Sequence, residues 1–260
     1  MKNVILFDMD GTLTPPRQKM PIDIEIMLKE IQEAGFEIGI ITGSDMNYVR
    51  QQCSGLFDLS LANPDEIHFL PCNGTKYIYN NEKVYEYDMR EVVGIDSWRM
   101  FLAYLFSLQN KLIIENLGNL PLTGTFFDYR GSMLNWCPIG RNANDSEREL
   151  WIKLNKDESI RLPILSLVNS YINRGSGKLN LTVKLGGDTS FDIFPKGWDK
   201  TFPIDKMSMF SDYNVYFVGD RCHESGNDFE LYNHPKTTAF QTTSTENTIN
   251  IVNKILSSNV

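Results

Sequence analysis

Residues 4–14 read VILFDMDGTLT: four apolar side chains, then Asp8, Asp10, Gly11 and Thr12. A short apolar run that ends in a polar, glycine-containing turn predicts a buried parallel strand whose C-terminal tip faces a site. Side chains two apart on a strand point the same way, so both carboxylates are expected on one side of that tip. Close carboxylates repel, and a hard cation such as magnesium relieves the repulsion. One of the pair can then act as nucleophile and the other as general acid/base.

Outward from this strand, TPPRQKMP is a proline-punctuated loop carrying Arg17. Ile24, Met27, Leu28 and Ile31 keep a helical stripe, and Gly35 stands where that helix stops. Residues 36–41 predict a second strand, ending in Thr42-Gly43-Ser44, with a helix opening at Asp45. Hydroxyls and free N–H groups at such a junction suit a phosphate, although capping explains Ser44 or Asp45 equally well. Residues 67–70 predict a third strand, and 77–79 with 84–87 a hairpin.

There the βαβ rhythm stops. The spacing predicts one helix over 91–108, strands over 122–129 and 132–137, and a helix over 145–154. A further helix is expected within 157–172, kinked or restarted by Pro163. Strands follow over 179–185 and 189–194. Residues 214–218 then return to a buried strand ending in GDRCHESGND, and a helix or loop pair with a helix over 248–256 closes the pattern. The fold class is therefore α/β: a parallel-sheet core (1–80 and 196–260) with an inserted α+β cap (81–195).

The chain has 260 residues, 42% apolar and 22% charged, with a net charge of -8, which argues against nucleic-acid or anionic-membrane partners. Asp8 interrupts the first apolar run too early for a signal peptide. Gln109, Asn110 and Lys111 break the apolar stretch 100–114 too early for a span. Cys53, Cys72, Cys137 and Cys222 lack metal-site spacing and read as reduced thiols of a cytoplasmic protein.

Three strand-end motifs, DMDGT, TGS and GD...GND, are expected on one sheet edge. Asp220 joins Asp8 and Asp10 as an oxygen ligand for magnesium, Asp228 supports the bound waters, and Lys200 offsets the crowding of negative charge.

These motifs resemble those of the haloacid dehalogenase superfamily, with its Rossmann-like core. The strings LFDMDGTLTPPRQK, RGSMLNWCPIGR, GGDTSFDIFPKGWDK and SGNDFELY further resemble the eukaryotic-type phosphomannomutases (cap type C2b) over nearly the whole chain. The resemblance implies Asp8 as the residue that becomes an aspartyl phosphate and Asp10 as acid/base toward a sugar hydroxyl. It implies magnesium on Asp8, the Asp10 backbone carbonyl and Asp220. Substrate would be held by Arg17, Arg130, Arg141, Arg148, Ser190 and Asp192. The expected activity interconverts mannose 6-phosphate and mannose 1-phosphate, primed by a hexose 1,6-bisphosphate, in a homodimer joined through the cap. A sugar-phosphate phosphatase of the same superfamily is the rival reading. The chain departs from the family pattern at Thr42 and Ser225, where glycine is usual. It also departs at His234, where an acidic residue is credited with a second metal; Tyr232 and Thr237 remain compatible with that loop.

Overall fold

The opening run forms β1 (Lys2–Phe7) in a computed structural model that describes residues 1–58, 61–116, 118–174 and 179–258. In chain order the other strands are β2 (Glu37–Ile41), β3 (Ile67–Leu70), β4 (Lys76–Tyr79), β5 (Glu82–Glu86), β6 (Phe127–Tyr129), β7 (Leu134–Trp136), β8 (Leu181–Gly186), β9 (Ser190–Pro195), β10 (Tyr213–Gly219) and β11 (Thr237–Gln241). The chain divides into two units, Met1–Glu86 with Gly197–Val260, and Tyr87–Lys196.

The first unit carries a sheet of order β11-β10-β1-β2-β3-β4-β5. β1 pairs in parallel with β10 and β2, and is covered on both faces, which is why its apolar run does not alternate. Ile5 and Phe7 face a cluster with Ile24, Met27, Leu28 and Ile31 of the helix Ile22–Glu33 and with Ile251, Val252 and Ile255 of the helix Thr245–Ser257. Val4 and Leu6 face the opposite cluster with Ile204, Phe217 and Leu231.

The second unit is an antiparallel sheet of order β6-β7-β9-β8 with helices Ile95–Glu115, Asp145–Leu154 and Arg161–Ile172. Trp136, fully buried, stacks on Phe127 and Phe191, with centroids 5.8 and 5.0 Å away. Its indole N–H donates to Gln109 Oε1 at 2.7 Å, so its polar edge is satisfied inside the core.

Several expectations are corrected. The helix expected over 91–108 is two, Met89–Val93 and Ile95–Glu115, broken at Gly94 with φ +82°. The strand expected over 122–129 shrinks to β6, because Gly124 and Thr125 take positive φ and turn the backbone out of extended geometry. Pro163 causes no kink: it falls in the first turn of Arg161–Ile172, where a missing N–H breaks no helical bond. β11 was not foreseen; TTAFQ is short and polar, and pairs only with β10 at the sheet edge. The first crossing between units lies after Glu86 rather than at 80/81, since β5 pairs with β4.

Trp136→Ala is expected to destabilise the protein by about 3–5 kcal/mol, read from the urea midpoint. A loss under ~1 kcal/mol would contradict the packing described.

Candidate active site

Parallel pairing assembles the site. Phe7 lies opposite Val218 on one side and Ile40 on the other, so Asp8, Asp220 and Thr42 leave neighbouring strands at the same sheet edge. The strand order reverses around β1, the switch point where such sheets keep their sites. After Asp8 the chain folds tightly: Thr12, Leu13 and Thr14 N–H groups all donate to Met9 O at 3.2, 2.9 and 2.9 Å. Gly11 sits in this turn at φ +84°, and a Cβ there would stand 2.4 Å from Asp220 Oδ2. Only glycine permits that approach.

Asp8, Asp220 and Asp228 can present one oxygen each within 4.8 Å of one another. Lys200 is buried among them, its ammonium donating to Asp8 Oδ1 and, at 2.6 Å, to Asp228 Oδ1. The other Asp228 oxygen accepts from Arg221 N–H at 3.0 Å. Both Asp228 oxygens are thus engaged by protein donors, which fits support of a cation's waters better than direct ligation. Asp220 Oδ1 is buried with no hydrogen-bond partner, an orphan that a divalent cation would satisfy. Three carboxylates around one ammonium leave excess negative charge, and the oxygen donor set suits magnesium.

The electrostatics agree. Burial raises Asp8 well above the usual carboxylate range; Lys200 opposes that shift, and Asp228 and Asp220 add to it. Burial works against the Lys200 ammonium, but Asp228 and Asp8 outweigh it and hold Lys200 above its ordinary value. Asp220 is pushed up to about 6, by burial first and then by Asp228.

Asp10 accepts at Oδ1 from the Tyr48 hydroxyl at 3.1 Å and from Arg17 N–H at 3.2 Å. Thr42 Oγ1 accepts from Ser44 N–H at 3.1 Å, and Asp45 caps the helix Met46–Gln52 by accepting from Tyr48 N–H. The 42–44 loop is braced by the strap after β3: Asn73 N–H donates to Thr42 O and Cys72 N–H to Ser44 O. Asn73 Nδ2 also donates to Trp198 O, two residues before Lys200.

Within the second unit, Arg130 Nε lies 2.9 Å and Arg141 Nε 3.4 Å from Asp128 Oδ2. Burial and the adjacent Arg130 guanidinium lower Arg141 from its ordinary value. Arg141 Nη1 donates to Asn135 Oδ1, while Asn135 Nδ2 donates to Ser190 Oγ and, at 2.7 Å, to Asp192 Oδ1. Arg148 is turned differently, donating to Thr189 Oγ1 and to the carbonyls of Ala143 and Arg141, so it buttresses the Arg141 backbone.

Sequence reasoning missed Tyr48, Asn73, Asp128 and Asn135. Tyr48 offered only its place three residues beyond a capping aspartate, and Asn135 is tied to Asp192 by a strand register that the sequence does not carry. Ser225 keeps a negative φ, so its departure from glycine costs nothing, whereas a Cβ on Gly226 would meet Arg221 O at 1.9 Å. Tyr232 ends the short helix Phe229–Tyr232; Thr237 Oγ1 donates to Leu231 O and His234 O, and His234 Nε2 lies 3.1 Å from Asp205.

An Asp220 carboxyl raised from 3.8 to about 6 in the fold favours the folded state at low pH, and that contribution is lost as pH climbs through about 6. The metal-free protein should therefore lose stability relative to Asp220→Asn over this range, by on the order of 2 kcal/mol. Adding magnesium at neutral pH should stabilise only the unsubstituted protein. Parallel pH-stability curves for both proteins from urea unfolding contradict the assignment.

The sequence matches the profile of the family described as eukaryotic phosphomannomutase over residues 24–258. It is 32% identical over 251 residues to a phosphomannomutase of Arabidopsis thaliana, spanning 95% of this chain and 93% of that relative. It is 30% identical over 255 residues to phosphomannomutase 1 of Dictyostelium discoideum, spanning 97% and 96%. Among solved structures it is similar to IMP-bound IMP-nucleotidase of Plasmodium falciparum (TM-score 0.61, 13% identity, 98% of this chain and 68% of that one). It is also similar to SMU.1108c of Streptococcus mutans (TM-score 0.60, 15% identity, 99% and 100%). At such identities the structures speak to the fold alone. The match along residues 24–258 and the relatives spanning nearly the full length agree with the motifs at the strand tips: the chain belongs to the eukaryotic phosphomannomutase family.

Proposed function

We propose that the protein is a magnesium-dependent phosphomannomutase that interconverts D-mannose 6-phosphate and α-D-mannose 1-phosphate through an aspartyl phosphate and a hexose 1,6-bisphosphate. One observation carries this reading. Arg130 and Arg141 converge on Asp128 within the second unit, and burial and the Arg130 guanidinium both work against the Arg141 charge. Two guanidiniums brought side by side present planar forks of N–H donors suited to a further anionic group, which simple hydrolysis at Asp8 does not need.

In this reading an Asp8 oxygen attacks phosphorus, and the phosphoryl group moves from the sugar oxygen to Asp8 while Asp10 protonates the departing oxygen. The reverse step hands the phosphoryl group to the other hydroxyl of the bisphosphate-forming sugar, with Asp10 as base. Lys200 holds Asp8 Oδ1 and so fixes the carboxylate plane. Asp8, the Asp10 carbonyl and Asp220 hold magnesium, which when bound neutralises carboxylate and phosphate charge. Thr42 and Ser44 serve the transferring phosphate; Arg17, Arg130 and Arg141 serve substrate, with Arg148 acting on it through the Arg141 backbone that it braces; Ser190 and Asp192, tied together by Asn135, read sugar hydroxyls. The product mannose 1-phosphate supplies GDP-mannose synthesis in the cytoplasm; no helix of the described residues is long and apolar enough to cross a membrane.

The partner in this reading is a second copy of the chain. The helix Ile95–Glu115 buries Trp98, Phe101, Leu105 and Leu108 but leaves Met100 69% and Ile114 58% exposed. Light scattering at micromolar concentration should give a dimer mass, and a monomer mass removes the assignment.

Incubation with mannose 1-phosphate, magnesium and bisphosphate should yield mannose 6-phosphate. Stoichiometric release of free phosphate without 6-phosphate would favour the rival sugar-phosphate phosphatase and overturn the mutase reading.

A further inference from the structure

Both lone pairs of Asp10 Oδ1 are engaged, one by the Arg17 backbone N–H and one by the Tyr48 hydroxyl. Neither donor is loosely held. Arg17 stands in the left-handed region at φ 61°, on the turn that follows DMDGT. Tyr48 lies in the first turn of Met46–Gln52, where its own N–H is fixed by the capping Asp45 at 2.8 Å. Its ring packs against the cluster that contains Ile24, Met27, Val49 and Cys53. The Asp10 carboxyl cannot rotate without breaking both bonds.

We propose that Tyr48 is a positioning residue for phosphoryl transfer: its hydroxyl occupies Asp10 Oδ1, so the proton exchanged with the sugar oxygen travels on Oδ2. This rests on Asp10 being the acid/base. As the bond between Asp8 and phosphorus forms, the bond from phosphorus to the sugar oxygen breaks, and its electron pair stays on that oxygen. The oxygen takes the Oδ2 proton, and Asp10 is left as carboxylate. Loss of the phenol returns a lone pair to Oδ1, lets the proton reside on either oxygen and frees the carboxyl plane. The in-line alignment of proton and departing oxygen is then lost.

Tyr48→Phe removes the hydroxyl and keeps the ring. Two reactions separate its role from a structural one. Sugar-phosphate turnover expels an alkoxide, which needs the proton; the pre-steady-state release of p-nitrophenolate from p-nitrophenyl phosphate does not. The kcat for mannose 1-phosphate should fall about 10- to 100-fold with KM unchanged, while the p-nitrophenolate burst rate stays as in the unsubstituted protein. Asp10→Asn should show the same selectivity more severely. Equal loss on both donors in Tyr48→Phe, or no loss on either, overturns the positioning role. Equal loss on both in Asp10→Asn instead overturns the acid/base reading on which it stands.

Discussion

A single buried ammonium organises the sheet edge. Lys200 has no water to stabilise it, and its charge persists because Asp8 and Asp228 flank it. Those carboxylates are buried as well, so each depends on the cation for the same reason. Removing one partner of such a set leaves an uncompensated buried charge, a cost of about 3–5 kcal/mol. The set also fixes geometry. Asp8 leaves β1, Asp228 holds the Arg221 N–H of the loop after β10, and Lys200 follows Trp198, whose carbonyl receives Asn73 from the strap after β3. Two strand tips are thereby pinned to one charge, and the tip of β3 to the backbone two residues before Lys200.

The second unit gathers guanidiniums instead. Two guanidiniums crowd Asp128, and one of them reaches Asn135, which in turn holds Ser190 and Asp192. Asn135 suits this place because its amide nitrogen donates to two acceptors while its oxygen accepts from Arg141; aspartate has no donor and serine only one. Arg161, buried, donates to Gly187 O and Ser190 O and so holds the β8–β9 turn that carries these groups. Each unit thus holds its charged side chains in a hydrogen-bonded frame.

The sequence was most informative where a residue's reason is local. The apolar run into Asp8, the stripe from Ile24 to Ile31 and the stop at Gly35 could be read because strand burial, helical spacing and left-handed glycine each act over a few residues. The carboxylates and Lys200 were legible from their motifs. What escaped depends on tertiary neighbours. β11 has a polar sequence and exists because β10 offers an open edge. The 122–126 segment looks extended, yet Gly124 and Thr125 bend it so that Thr123 and Arg141 can form backbone bonds across the loop. Tyr48 passes for an ordinary amphipathic-helix residue until the fold brings it to Asp10. Asn135 and Asp128 declare themselves only once strands are paired.

The ion pair between Lys200 and Asp8 spans 192 residues of chain, and β1 finds its partner β10 across a similar separation. The intervening unit is contiguous, Tyr87–Lys196, and its strands pair with sequence neighbours or near neighbours. On a ribosome these two facts set an order. The inserted unit can complete its own sheet while β1 still waits, an apolar strand with one long edge unpaired. The cluster of Lys200, Asp8 and Asp228 is therefore among the last parts of the protein to come into being, and β1 is a segment exposed to aggregation during synthesis.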